Sequence, residues 1–211
     1  MKLKDFLKDF LKELKNRLKG CMNILMNNHK FIGQPENNCP CYDKYGNMIG
    51  FWSRSNAVVV FAFAKDKEGN DCVLVSQRGK GTPDVEFRGA WNVTCGYLDC
   101  DESLVHAVVR ETYEETGIIL PNLKDIKLWY INDNPTEDKR QNVTFRFYVE
   151  LPETTDFYEK QFSHIHNEKD EVGNIEFVKV EDLKTRRWAF NHDKLIPLAY
   201  AAMKSGKFLE Y

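Results

Sequence analysis

Residues 96–118 read GYLDCDESLVHAVVRETYEETGI, and this stretch carries the strongest signal for the fold. It predicts a helix over residues 103–116, with Gly117 at the position where a left-handed residue ends a helix. The spacing of four apolar residues predicts a side that docks on a sheet: Leu104, Val105, Val108 and Val109.

Three glutamates of the same helix, Glu111, Glu114 and Glu115, stand three and four residues apart, so their carboxylates share one strip of its surface. Each like-charged pair at this spacing costs about 0.2–0.5 kcal/mol on an exposed helix. A dense set of hard oxygen ligands suits Mg²⁺ or Mn²⁺ better than zinc. Arg110 can orient the Glu114 carboxylate from one turn away. A solvated acidic face is the alternative interpretation.

The residues around these glutamates resemble the Nudix box, which has Gly, five residues, Glu, seven residues, Arg-Glu, an aliphatic residue, any residue, Glu-Glu, any residue, Gly and an aliphatic residue. Thr112 stands where an aliphatic residue is expected, and Cys95 stands where many members have glycine. The resemblance covers roughly residues 54–204. The matching positions are Gly96, Glu102, Arg110, Glu111, Glu114, Glu115, Gly117 and Ile118.

The resemblance implies a hydrolase that cuts the pyrophosphate bond of a nucleoside diphosphate linked to another group. It implies a cofactor, Mg²⁺ or Mn²⁺, held by Glu111, Glu114, Glu115 and the backbone carbonyl of Cys95. The expected partner is a small nucleotide: ADP-ribose, a nucleotide sugar or a nucleoside triphosphate. Pro135, in the loop after a predicted strand, is a weak indication of ADP-ribose, since proline is common in loops.

The catalytic set predicted from this resemblance is Glu171, Glu115, Glu114 and Arg110. Glu171, in an acidic loop, is the first candidate for the general base. Its rivals are Glu168, Asp170, Glu111 and Glu115. Arg78 and Arg54, in or beside the early strands, are candidates for substrate binding through phosphate, with ordinary surface arginines as the alternative.

The remaining patterns predict an α/β (α+β) fold with a mixed sheet flanked by helices, and the resemblance implies the α/β/α sandwich of the Nudix type. Strands are expected at 57–64, 72–76, 126–132, 142–150 and 175–180, with a short apolar segment at 90–95 and a closing helix at 192–204. The first two strands should form a hairpin. Residues 27–55, rich in Asn, Gly and Pro, are expected to be an irregular connector.

The N-terminal region is predicted to be an amphipathic helix over residues 3–18, placed before the connector in a segment of residues 1–50. The Nudix domain is assigned to residues 51–211. The helix is expected to pack on its own domain or on a second subunit, which would make a homodimer. A membrane-surface helix is the alternative, although acidic residues dilute its basic face.

Composition limits the function classes. The 211-residue chain is 42% hydrophobic with a formal net charge of −2, so it can build a core and has no global basic bias toward nucleic acid. No apolar run is long enough to span a membrane, and no secretory h-region is recognisable. The six cysteines are interpreted as reduced thiols of a cytoplasmic protein, with Cys39 and Cys41 incidental.

Three other functions stay open. One is a non-catalytic nucleotide-binding or regulatory module that kept the fold, although the intact glutamate set argues against it. Another is an RNA 5′-pyrophosphohydrolase, which a basic groove would favour. An isopentenyl diphosphate isomerase fits the full hydrolase pattern less well.

Overall fold

The computed structural model describes residues 40–51, 56–99, 102–134, 142–162 and 170–209. Several sequence-based expectations lie outside the described residues and stay predictions. They concern the helix at residues 3–18, Arg54, Pro135 and Glu168. The division of the chain into residues 1–50 and 51–211 also stays a prediction.

Nine strands and three helices make up the regular structure of the described residues. The strands are β1 (Pro40–Tyr42), β2 (Met48–Phe51), β3 (Asn56–Lys65), β4 (Asp71–Arg78), β5 (Trp91–Asn92), β6 (Thr94–Tyr97), β7 (Lys127–Asn132), β8 (Val143–Thr154) and β9 (Val172–Lys179). The helices are α1 (Leu104–Thr116), α2 (Thr155–Glu159) and α3 (His192–Ser205), and short 3₁₀ turns occupy Val85–Phe87 and Leu123–Asp125.

A seven-stranded mixed sheet forms the centre of the fold. Its main path runs β5-β4-β3-β8-β7, while β6 pairs with β3 and β9 pairs with β4. The β3–β8 pair is parallel, and the other pairs are antiparallel. The predicted mixed sheet and the predicted β3–β4 hairpin are both confirmed.

Alternation along β3 divides the core into two layers. Val58 and Val60 face one side of the sheet, where they pack with Ala107 and Val108 of α1. Phe61 and the β3 residues two positions before and after it face the other side, where they pack with the buried residues of α3. Since successive strand residues point to opposite faces, one long apolar strand can serve both helices. This is the α/β/α sandwich that the sequence predicted.

The expectation of an irregular connector over residues 27–55 is wrong for residues 40–51. There β1 and β2 form an antiparallel pair around a tight turn. Asp43 Oδ1 accepts hydrogen bonds from the backbone N–H groups of Tyr45 (2.8 Å) and Asn47 (2.9 Å). Gly46 supplies a positive φ of 85°. Asn, Gly and Asp in this segment therefore build a turn between strands.

Some boundaries also differ from the predictions. Strand β9 begins at Val172, before the expected residue 175, and β8 continues to Thr154, beyond residue 150. The short helix α2 was not predicted, because its five residues carry too little periodicity to recognise. Within the described residues, no helix is both long and apolar enough to cross a membrane.

Candidate active site

Helix α1 is fixed at both ends by residues of the motif. Ser103 caps its N-terminus by accepting a hydrogen bond from the His106 N–H (3.3 Å). Gly117 ends it in the left-handed conformation, with φ 79°, and its N–H reaches the Tyr113 carbonyl. The buried side of the helix holds it on the sheet, so the glutamates on its flank have defined positions.

Gly96 on β6 lies directly beneath the Glu111 carboxylate. A Cβ atom at residue 96 would lie 2.1 Å from both Cδ and Oε1 of Glu111. Any larger residue would displace this carboxylate, so the close approach requires glycine. Gly96 is therefore required because it has no side chain, and its backbone flexibility matters less.

Arg110 gathers the acidic residues of the motif around one guanidinium group. Its Nε and Nη2 donate to the two carboxylate oxygens of Glu102, each at 2.8 Å. Its Nη1 donates to Glu111 Oε1 at 2.8 Å and to Glu114 Oε2 at 3.0 Å. A further bond reaches the Tyr97 carbonyl. Such charge-assisted bonds orient carboxylates, which is the role that the sequence suggested for this arginine toward Glu114.

Glu111 and Glu115 are partly buried acids without full charge compensation. Burial raises the pKa of Glu111 to about 7, with Arg110 opposing the shift. Burial also raises the pKa of Glu115 well above its usual range, and the charge of Glu111 adds to that effect. Glu115 Oε2 is buried and accepts no hydrogen bond within the described part of the chain. An unpaired buried carboxylate oxygen is unfavourable unless a cation or proton joins it.

The thiol of Cys95 is a poor metal ligand in this environment. Burial, reinforced by the nearby charge of Glu115, raises the pKa of the thiol to about 12. The thiol therefore stays protonated at neutral pH, and the Asn92 side-chain amide donates to its sulfur at 3.4 Å. The backbone of Cys95 is the part that interacts with the acids, through a hydrogen bond to Glu115.

One cavity of about 510 Å³ brings these groups together. Its acidic wall carries the glutamates of α1, and Glu171 faces them from the segment before β9, since its charge raises the pKa of Glu115. Its cationic side carries Arg78 of β4 and Arg146 of β8, whose charges both lower the pKa of His192. Residues of the site that line it include Arg78, Asp84, Cys95, Gly96, Glu111, Glu114, Glu115, Arg146, Glu171, Phe190 and His192.

Arg78 is held in place by the loop that follows its own strand. Its Nη2 donates to the Thr82 hydroxyl and to Asp84 Oδ2, the latter at 3.1 Å. The guanidinium carbon also lies 5.0 Å from the centre of the Phe190 ring. Side-chain exposures of 13% for Arg78 and 17% for Asp84 leave the pair largely shielded from solvent. Its charge is therefore only weakly screened inside the cavity.

The structure brings together most of the residues selected from the sequence. Six line the same cavity: Arg78, Cys95, Glu111, Glu114, Glu115 and Glu171. Arg110 lies behind the acidic wall and contacts its carboxylates. The rival base Asp170 contributes its backbone carbonyl, which accepts from Gly81 N–H at 3.0 Å. Arg54 lies outside the described residues.

Sequence reasoning missed Arg146 and Phe190. Arg146 interrupts the apolar and aromatic run FRFYV of residues 145–149, and a charge inside a strand of that kind is a detectable signal. Its position depends on the parallel pairing of β8 with β3, where it lies beside Val59. Phe190 and Asn191 both have positive φ values, 54° and 56°, which no local sequence pattern indicated.

The donor set fits a hard divalent cation by its chemistry. Within the described residues, no three His, Cys, Asp or Glu side chains converge closely enough to hold a metal ion as they stand. Arg110 binds one carboxylate oxygen each of Glu111 and Glu114. Glu115 has an unpaired oxygen, and the pKa values of Glu111 and Glu115 are both raised. A cation bound between these two carboxylates would stabilise their charged forms.

The chain belongs to the Nudix family, because the model of the NUDIX domain matches residues 53–199. An ADP-ribose pyrophosphatase from Methanocaldococcus jannaschii is 29% identical over 145 residues, which span 66% of this chain and 71% of that protein. Phosphatase NudJ from Escherichia coli K12 is 35% identical over 69 residues, covering 32% of this chain and 42% of NudJ. This chain therefore spans less than half of the length of NudJ.

Among solved structures, the NUDIX domain of NrtR from Shewanella oneidensis, complexed with ADP ribose, has a similar fold. Its TM-score is 0.55 at 23% sequence identity, covering 77% of this chain and 94% of that domain. At this level of identity the similarity concerns the fold.

Proposed function

We propose that this protein is a Mg²⁺- or Mn²⁺-dependent pyrophosphohydrolase that acts on a nucleoside diphosphate linked to another group, with ADP-ribose as the first candidate. One observation carries the proposal. Partly buried glutamates of α1 and two arginines, Arg78 and Arg146, line a single cavity. A diphosphate matches both sides, because arginine binds its oxygens and a cation held by glutamates neutralises its remaining charge.

The residues that would hold the ion are Glu111, Glu114 and Glu115, together with the backbone carbonyl of Cys95. When bound, a divalent ion supplies Lewis-acid polarisation of the phosphoryl oxygens. The unpaired oxygen of Glu115 supports this assignment. Glu111 and Glu114 keep Arg110 as a partner, so Arg110 acts as a positioning residue that sets the direction of both carboxylates.

Arg78 and Arg146 are proposed to bind the non-bridging oxygens of the diphosphate. The bond between Arg78 and Asp84 fixes the guanidinium before substrate enters. Pre-ordered donors contribute more to catalysis than mobile ones, because they need no reorganisation during the reaction. Arg146 approaches from β8, and its guanidinium carbon lies 5.1 Å from the centre of the Tyr130 ring.

Glu171 is proposed as the general base. It would accept the proton of the attacking water while the new P–O bond forms and the bridging P–O bond breaks, with the charge leaving on the second phosphate. Its backbone carbonyl accepts from the Gly79 N–H at 2.7 Å, and Gly81 binds the preceding carbonyl. These two bonds tie the base to the same loop that positions Arg78.

The substrate class draws support from the relatives. The M. jannaschii protein is an ADP-ribose pyrophosphatase, and the NrtR domain has been solved with ADP ribose. A cytoplasmic location is part of the proposal, in keeping with free thiols at Cys72 and Cys95. A homodimer through residues 3–18 remains a separate prediction, which sizing of a chain without residues 1–20 would test.

The decisive experiment measures product release from ADP-ribose, nucleotide sugars, dinucleoside polyphosphates and nucleoside triphosphates with Mg²⁺ or Mn²⁺. The expected result is turnover of at least one class by the wild type and loss of that turnover in the Glu114→Gln, Glu115→Gln double variant. Glu159→Gln, at an exposed position of α2, is the matched control and should keep full activity. Wild-type turnover no higher than that of the double variant would overturn the enzyme assignment. Tight ADP-ribose binding without turnover would instead favour a binding module.

A further inference from the structure

Phe190 has an unusual backbone conformation at the edge of the proposed active site. Phe190 and Asn191 are consecutive non-glycine residues in the left-handed region, with φ of 54° and 56°. L-residues with a β-carbon disfavour this conformation, and such outliers persist only where surrounding contacts impose them. Here the segment just before α3 turns sharply, and this turn directs the Phe190 side chain to the cavity.

The contacts that impose this conformation lie on both sides of Phe190. The Ala189 N–H donates to the Trp91 carbonyl at 2.9 Å, and the Trp91 N–H donates to the Arg187 carbonyl at 2.8 Å. After Phe190, the His192 ring accepts from the Val93 N–H at 3.1 Å. Asn191 occupies the cap position of α3 without a capping bond from its side chain. The turn is thus fixed by β5 and its neighbours, and helix capping by Asn191 does not account for it.

Around Phe190, flat side chains gather on one part of the cavity wall. The Phe87 ring lies 4.6 Å from the Phe190 ring between centroids, and the His192 ring lies 5.6 Å away. The guanidinium carbon of Arg78 lies 5.0 Å from the centre of the same ring. All four groups line the cavity. Planar groups of this kind bind planar aromatic ligands by stacking, whereas a sugar offers no comparable flat face.

The order of the groups across the cavity matches the order of parts in a nucleotide. Arg78 contacts Phe190, and the cavity that both residues line also carries Glu111, Glu114 and Glu115. A diphosphate held between Arg78 and the acidic wall would therefore leave the nucleoside pointing toward Phe190 and Phe87. The charged end of the ligand meets charged groups, and its aromatic end meets aromatic rings.

We propose that Phe190, supported by Phe87, is the specificity-determining residue that stacks on the nucleobase of the substrate. This inference rests on the proposed function for the identity of the site. It adds the recognition of the nucleobase, which the glutamates do not specify. A diphosphate compound that lacks a base would lose this contact and bind more weakly.

Binding of AMP and of ribose 5-phosphate to the full chain, each measured by calorimetry without divalent ions, tests the proposal directly. The wild type should bind AMP at least about tenfold more tightly than ribose 5-phosphate, as expected from one base–aromatic stack. Phe190→Leu keeps an apolar side chain and should lose about tenfold for AMP, with ribose 5-phosphate unchanged. Phe190→Tyr keeps the ring and should retain AMP binding within about threefold.

The control is Phe157→Leu, which changes an exposed phenylalanine of α2 and should alter neither affinity. Equal weakening of both ligands by Phe190→Leu, or a wild type that does not distinguish them, would overturn the proposal. If Phe190→Leu fails to fold, Phe87→Leu and Phe190→Tyr still decide the question. Steady-state kinetics separate this inference from the proposed function. Base discrimination without turnover of any of the four substrate classes contradicts only the enzyme assignment, whereas turnover with discrimination unchanged in Phe190→Leu contradicts only the stacking role.

Discussion

The Cα atom of Gly96 lies so close to the Glu111 carboxylate that a methyl group on it would come within 2.1 Å of Cδ and Oε1. The packing of two neighbouring elements, the strand β6 and the helix α1, therefore depends on one missing side chain. The atoms that would clash are at the end of a flexible glutamate, so the backbone itself can stay in place.

We expect Gly96→Ala to remove activity while the protein stays folded. The alanine methyl group would push the Glu111 carboxylate away from the cavity, and misplacement of a catalytic group by about 1 Å can lower kcat/KM about 100-fold. The free energy of unfolding should change by no more than about 1 kcal/mol, because only the carboxylate has to move. Steady-state kinetics and urea unfolding measure the two quantities.

Gly69→Ala is the matched control for this variant. It adds a methyl group to a turn glycine with φ of 85° and nothing within 4 Å, far from the cavity-lining residues. It should lower stability by about 1–2 kcal/mol through the backbone and leave kcat/KM unchanged. Full activity in Gly96→Ala would show that the position of Glu111 does not matter for the reaction.

Gly79 supports Glu171 in a different way. A Cβ atom at residue 79 would lie 1.9 Å from the backbone carbonyl oxygen of Asp170 and 3.0 Å from the carbonyl carbon of Glu171. Because these are backbone atoms, Gly79→Ala must move the loop itself. We expect kcat/KM to fall about 10²–10⁴-fold, as it would on loss of a general base.

A double-variant cycle tests this relationship. If Gly79→Ala acts by displacing Glu171, combining it with Glu171→Gln should lower kcat/KM no further than Glu171→Gln alone. Gly46→Ala, which adds a methyl group into open space, should leave kcat/KM unchanged. Strictly additive losses would mean that Gly79 acts on the site independently of Glu171.

The sequence predicted the part of the site that lies close together along the chain. Helical periodicity relates Glu111, Glu114, Glu115 and Arg110, and the resemblance to the Nudix box joins them to Gly96 and Gly117 within residues 96–118. Arg146 and Phe190 come from β8 and from the turn before α3, and only strand pairing brings them to the cavity. Such positions depend on long-range register, which local patterns do not encode.

Residue type alone also does not show how a buried polar side chain is hydrogen-bonded. Thr112 stands where an aliphatic residue is expected in the Nudix box. In the structure the residue is fully buried, and its hydroxyl donates to the Val108 carbonyl one turn earlier at 2.7 Å. This bond satisfies the hydroxyl without any partner outside the helix.

We therefore expect Thr112→Val to change the free energy of unfolding by less than about 1 kcal/mol, because it removes the hydroxyl and leaves the helical carbonyl its usual partner. Thr116→Val should behave differently. The Thr116 hydroxyl donates to the Thr112 carbonyl and also accepts from the Ile118 N–H at 3.2 Å. Its loss would leave that buried N–H without an acceptor and lower stability by about 1–3 kcal/mol.

Urea unfolding of both valine variants at one pH makes this comparison. The two positions share residue type, helix and complete burial, so each is the control for the other. Equal destabilisation would show that the second hydrogen bond contributes nothing, and a large loss in Thr112→Val would contradict the assigned role of its hydroxyl.

His192 makes stability depend on pH. Burial, together with the charges of Arg146 and Arg78, lowers the pKa of this histidine from 6.5 to about 3. Its neutral ring accepts the Val93 N–H, so protonation would break that bond. The unfolded chain binds a proton near pH 6.5, while the folded chain resists it. The contribution of His192 is therefore complete above pH 6.5 and declines as the pH falls toward 3.

We expect the stability advantage of the wild type over His192→Gln to shrink by about 2 kcal/mol between pH 7.5 and pH 5. Glutamine cannot titrate, so other ionisable groups cancel in the difference between the two proteins. Urea unfolding at a series of pH values provides the measurement. If the advantage stayed constant over this range, His192 would bind its proton equally well in the folded and the unfolded chain. That result would contradict the burial of His192 between Phe61, Phe190 and the two arginines.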